Sequence, residues 1–74
     1  MGKLPVLSGR EVVKIFEKDG WKRVNQVGSH ITMKKKGVRA KLSIPLHREV
    51  GRGLLRGLIR DAGLSVEDFI KLLS

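Results

Sequence analysis

The sequence has no cysteine. That removes disulfide staples and thiolate metal sites, and it fits a reducing, cytoplasmic setting. No apolar run is long enough to cross a bilayer or to serve as a secretory signal. Val6 stands where a myristoylation motif after Met1-Gly2 would need a hydroxyl residue. Acidic residues are few, seven against sixteen lysines and arginines, and they do not cluster. Two histidines added to them make no ligand set, so neither a metal nor a cofactor is expected. Gly51-Arg52-Gly53 is too short for a nucleotide phosphate loop and lacks the lysine and hydroxyl partner that should follow. There is no internal repeat or low-complexity run. These absences leave one small domain over residues 1–74, near the lower limit for independent folding.

What is present is positive charge. A formal net charge of +9 on 74 residues repels itself and costs stability. A polyanionic partner is the economical explanation, and nucleic acid fits best. A membrane surface fits less well, because the basic residues spread over several elements instead of lining one amphipathic helix.

The order of elements follows from local signals. Pro5 disfavours helix in the lead-in, Met1 to Leu7. Ser8-Gly9-Arg10-Glu11 reads as a capping box. Val12, Val13, Ile15 and Phe16 then recur at helical spacing, which predicts a helix from Gly9 to Asp19 that Gly20 closes. Trp21 to Val27 reads as a strand with an imperfect pattern that calls for a bulge or twist. His30 to Lys35 reads as a second strand. Lys36-Gly37 reads as a two-residue hairpin turn, and Val38 to Ile44 as a third strand ended by Pro45. Leu46 to Gly53 is a connector. A helix over Leu54 to Ala62 should bury Leu54, Leu55, Leu58, Ile59 and Ala62, and Gly63 should close it. Ser65 starts a short final helix with Glu67 and Asp68 at its positive end and Val66, Phe69, Ile70 and Leu73 closing the core. The fold class is α+β, helix–strand–strand–strand–helix–helix, with helices on one face of a three-stranded antiparallel sheet.

The alternation in the second and third strands divides the sheet. Ile31, Met33, Val38, Ala40, Leu42 and Ile44 point to the helices. His30, Thr32, Lys34, Arg39, Lys41 and Ser43 point the other way. A cationic face with an imidazole at its edge suits phosphates. RNA cleavage needs a base for the 2′-hydroxyl, an acid for the leaving oxygen and cations for the phosphorane. His30 could take either proton role, and Lys34, Arg39 or Lys41 the last. A structural turn histidine explains His30 equally well on these grounds. His47 is a possible second proton carrier, though a capping role in the connector explains it more simply. Arg52, Arg56 and Arg60 recur at four-residue steps, as a solvated flank or as a ladder for a nucleic-acid backbone or an acidic protein.

Several stretches in order carry a resemblance: Leu7-Ser8-Gly9-Arg10-Glu11-Val12-Val13, Asp19-Gly20-Trp21, Gly28-Ser29-His30, Ile44-Pro45-Leu46-His47, and Arg60-Asp61-Ala62-Gly63-Leu64-Ser65 with Glu67-Asp68-Phe69. Together they resemble the HicA (YcfA-like) toxins over nearly the whole chain. The resemblance implies a fold similar to a double-stranded-RNA-binding domain. It implies an mRNA interferase that cleaves transcripts and blocks translation, and a HicB antitoxin that covers its active site. The family's catalytic histidine falls on His30, with Gly28, Ser29 and His47 as site support. Lys34, Lys35, Lys36, Arg39, Lys41, Arg52 and Arg56 are the expected RNA contacts, and a monomer is expected for the free chain. The family usually has Gly-Thr-Leu opening the second helix, where Gly53-Leu54-Leu55 stands here without the threonine cap.

Overall fold

The structure, a computed structural model, describes residues 4–73. The first three residues of the lead-in, and Ser74, lie outside the described residues. Six elements follow in order: α1 (Gly9–Lys18), β1 (Lys22–Val27), β2 (His30–Lys34), β3 (Leu42–Pro45), α2 (Arg52–Asp61) and α3 (Val66–Lys71). The strands form one antiparallel sheet in the order β1-β2-β3.

The Ser8 capping box is present in both directions. Ser8 Oγ accepts from the Glu11 amide at 3.2 Å, and Glu11 Oε1 accepts from the Ser8 amide at 2.9 Å. Ser65 and Asp68 make a second box at the start of α3. Each box satisfies amides that a helix start otherwise leaves open. α2 starts two residues earlier than the sequence pattern indicated. Its N-cap is Gly51, which has no side-chain capping bond. Leu54 is therefore not part of the buried stripe: it is 47% exposed, while Leu55, Leu58, Ile59 and Ala62 are buried.

Ile31, Met33, Leu42 and Ile44 form the buried face of the sheet, against Val12, Val13, Ile15 and Phe16 of α1 and the stripe of α2. Phe69 of α3 is fully buried and lies 5.3 Å from Phe16, ring centre to ring centre, so the last helix closes the core. Trp21 packs edge-on to Phe16 at 6.3 Å. The lead-in and the connector also contribute core, through Leu4, Leu7 and Val50. Leu7 and Val50 form an isolated bridge, the Val50 amide donating to the Leu7 carbonyl at 2.7 Å. Neither segment has a periodicity that would have announced this.

The expected bulge in the first strand sits at Val24, where the β1–β2 register shifts between Arg23 and Asn25. The third strand differs from expectation. It begins at Leu42, not Val38, and Val38 and Ala40 are only half-buried. A tight turn at Lys36-Gly37 would pair Met33 with Ala40; Met33 instead pairs with Leu42, two residues further along. The turn itself is present, with the Val38 amide donating to the Lys35 carbonyl at 3.1 Å. Gly37 has φ 84° and no non-glycine residue among those described has positive φ, so the positive φ falls on the second central residue only. That is the signature of a type II turn, whose twist splays hairpin strands apart. Because the shift is two residues, Leu42 and Ile44 keep the inward face.

Candidate active site

The other hairpin turn, Gly28-Ser29, is tight: Val27 pairs directly with His30. Gly28 has φ 58°, and positive φ at the first central residue alone is the type II′ pattern that matches strand twist. His30 thus leaves the turn as the first residue of β2, exposed, with Val27 on one side and Pro45 on the other. Thr32 and Ser43, a direct cross-strand pair, continue its face of the sheet.

His47 lies two residues beyond β3, and the fold carries it to His30. The two imidazole centroids are 6.3 Å apart with planes at 72°. Two backbone hydrogen bonds fix this approach. The Leu46 amide donates to the Ser29 carbonyl at 2.6 Å, and the Gly9 amide donates to the His47 carbonyl at 2.9 Å. α1 therefore starts directly against the segment that carries His47. The approach is so close that only glycine fits at position 9: a Cβ there would collide with the Pro45 carbonyl oxygen and lie 2.8 Å from Leu46 Cα. His47 is exposed, so its ring is not a buried cap.

A cleft of about 320 Å³ opens between α1 and β1; Ile31 and Leu46, chain neighbours of the two histidines, line it, and the histidines themselves do not. It exists because the helices cover β2 and β3 but not β1, which is exposed along its whole length. Gln26 pairs with Ile31 and so shares its side of the sheet, yet no helix covers it. Arg10, Lys14 and Arg23 line the cleft around Val13 and Leu46. Arg23 is partly neutralised by Glu17 at 3.5 Å. Glu11, at the first turn of α1, has its carboxyl held below the ordinary range by the Ser8 amide and then by the Ser8 side chain. Among the described residues, no group of three His, Cys, Asp or Glu side chains could hold a metal ion.

A family model described as the HicA toxin of bacterial toxin–antitoxin systems matches residues 9–64. The chain belongs to the HicA toxin family. No curated protein and no solved structure matches it. The family match runs from the first residue of α1 past the end of α2, so it includes both histidines and leaves α3 outside. Membership supports a toxin role and implies an antitoxin partner. No helix among the described residues is long and apolar enough to cross a membrane.

The cations expected to serve a HicA site do not gather at His30. Lys34 ends β2 four residues away, roughly 13 Å along the strand. Lys36, Arg39 and Lys41 are exposed but lie in the connection between β2 and β3, at that same far end, and not on a third strand. Lys34, Arg39 and Lys41 thus stand at the end of β2 opposite His30. Lys35 is half-buried and held by Asp19 at 3.2 Å; the same carboxylate oxygen accepts from the Trp21 indole at 3.3 Å. It ties the start of the sheet to the end of α1. Arg52 donates through Nε to the Leu4 carbonyl at 3.1 Å, which fixes the lead-in. Arg56 is exposed on α2. The cations adjacent in chain to the histidine end are Arg10, next to Gly9, and Arg48, next to His47; both are exposed. Sequence reasoning passed over them because each is a single charge, one in α1 and one in the connector after β3. The Gly9–His47 hydrogen bond and the Leu7–Val50 bridge bring their segments together.

Proposed function

We propose that the chain is an mRNA interferase: the toxin of a HicAB-type pair, a metal-independent endoribonuclease that inhibits translation by cutting transcripts. The observation that carries this reading is the exposed His30 directly after a tight hairpin turn, inside the residues that the family model matches. A rigid turn holds the ring in place without burying it, as a group that exchanges protons with a substrate requires. His30 acts on the 2′-hydroxyl or on the leaving oxygen. Arg10 and Arg48 supply positive charge at that end, and the cationic connection from Lys34 to Lys41 follows the RNA backbone further along. A small acidic HicB-type protein that covers the histidine end is the expected inhibitor, since it would neutralise the +9 chain and block the ring together.

The test uses purified protein, a long RNA and excess EDTA. Cleavage that continues under EDTA and falls at least 10²-fold in His30→Ala, with an unchanged melting temperature, is the expected result. Cleavage by His30→Ala at the wild-type rate would remove the assignment. Intact RNA with salt-dependent binding would instead favour a non-catalytic RNA-binding module, a reading that the exposed cations of the β2–β3 connection also support.

A further inference from the structure

We propose that His47 is the second proton-transferring group of the reaction, so that His30 and His47 divide the two proton transfers of RNA cleavage. The inference rests on the nuclease reading above and extends it to a residue 17 positions away in the chain. Three observations carry it. The rings are 6.3 Å apart. Both are exposed, with no acid bound to either among the described ion pairs. The segments that carry them are joined by backbone: the Leu46–Ser29 hydrogen bond ties the His47 segment to the turn before His30, and the Gly9–His47 bond ties it to the start of α1. A histidine that merely capped the connector would not need its partner segment locked to the start of α1.

The separation suits one phosphodiester. An imidazole nitrogen reaches an oxygen at roughly 2.6–3.2 Å. Two rings at this spacing can each meet a different oxygen of a single phosphorus lying at the mouth between them. In the step, the 2′-oxygen forms a bond to phosphorus as its proton passes to the neutral imidazole of one histidine. The bond between phosphorus and the 5′-oxygen breaks, and that oxygen takes a proton from the imidazolium of the other. The products are a 2′,3′-cyclic phosphate and a 5′-hydroxyl. Each ring has exchanged one proton, so solvent restores the starting pair with no other reactant. A single imidazole would have to perform both transfers on opposite sides of the phosphorus.

The experiment compares wild type, His30→Ala and His47→Ala on an RNA oligonucleotide spanning a linkage that the wild-type protein cleaves. The oligonucleotide is made in two forms, with oxygen or with sulfur as the 5′ leaving atom. A thiolate leaves without protonation, so the variant lacking the acid recovers on the sulfur form while the variant lacking the base does not. With the oxygen form, both variants should lose roughly 10²–10⁴-fold in single-turnover rate. With sulfur, one of the two should return to within about tenfold of wild type, and the other should stay low. Circular dichroism melts of both variants check that each is folded, and His47→Gln provides a second variant of similar size. If His47→Ala and His47→Gln cleave the oxygen form as fast as wild type while His30→Ala does not, this proposal fails and the single-histidine reading survives. If His47→Ala is slow but sulfur rescues neither variant, or both, His47 only positions its neighbour and the proposal also fails. If His30→Ala is fully active, the assignment of His30 falls and this proposal falls with it; if wild type leaves the RNA intact, the nuclease reading itself falls.

Discussion

Two glycine turns flank β2, and they differ in which central residue is the glycine. In Gly28-Ser29 it comes first, the turn follows the strand twist, and pairing starts at once with Val27 and His30. In Lys36-Gly37 it comes second, the strands splay, and pairing resumes only at Met33 and Leu42. One end of the sheet is thereby pinned by backbone and carries both histidines. The other end is an irregular, cation-rich connection. Proton transfer needs groups held to within a fraction of an ångström, whereas phosphate contact through long lysine and arginine side chains does not. On the proposed function, the two needs are separated along about four residues of one strand.

The largest break in that arrangement should come from Gly9→Ala. Its new Cβ would meet backbone of Pro45 and Leu46, which cannot swing aside as a side-chain tip could. A loss of about 3 kcal/mol in urea denaturation is expected, with cleavage abolished too. Stability and cleavage at wild-type levels would show that this approach does not pin the histidine end.

Next in size is a paired test of the turns. Gly28→Ala and Gly37→Ala each force an alanine into positive φ, at 58° and 84°, and each should cost about 1–2 kcal/mol. Their stability losses should be similar. Their rates should not be. With both proteins still folded, Gly28→Ala is expected to lower single-turnover cleavage at least tenfold, while Gly37→Ala should change it less than twofold. Equal rate losses would mean that the two ends are not functionally distinct.

A smaller effect sharpens the far end. Arg39→Ala with Lys41→Ala should leave the rate at saturating RNA unchanged and weaken binding. The salt dependence of log K should flatten by roughly 0.7 for each phosphate of a single strand that the variant no longer neutralises. A fall in saturated rate with unchanged binding would place these residues in the chemistry after all.

The contrast between the turns also shows what a sequence can disclose. The Ser8 capping box, the start of α3 at Ser65, the bulge, the inward faces of β2 and β3 and the glycines after α1 and α2 rest on patterns within about four residues, and all were legible. The start of β3 was not, because Val38-Arg39-Ala40-Lys41 alternates like a strand while the turn geometry before it decides the pairing. Leu4, Leu7 and Val50 were not, because their burial comes from segments far apart in the chain. At the proposed site, the exposed place of His30 after its turn could be read from Gly28-Ser29. Arg10 and Arg48 could not, nor could the nearness of the two rings. The single available signal was Gly9, a glycine inside the first turn of a helix, where a better helix former would stand unless something pressed against it.

The smallest expected effect concerns the capping boxes and acid. The carboxyls of Glu11 and Asp68 are both held below their ordinary range, in each case first by the serine amide that they accept from and then by the serine side chain. A carboxyl lowered in the folded state stabilises the fold above its unfolded value, about 4.3 for Glu and 3.9 for Asp, and that contribution is lost as pH falls through the folded value. The melting temperature should therefore be flat near neutrality and begin to fall below about pH 4. Glu11→Gln keeps a side chain that can still reach the Ser8 amide but removes the titration. It should blunt the acid fall slightly, as should Asp68→Asn at α3. The two differ in place: the Ser8 box adjoins Gly9 and the histidine end, whereas the Ser65 box adjoins α3. As pH falls from about 7 to below about 4, hydrogen exchange should find opening of the amides around Leu46 accelerating more in wild type than in Glu11→Gln, which has lost that titration, with no such difference for Asp68→Asn. Equal exchange in all three would show that the first turn of α1 does not transmit its loosening to the segment that holds His47.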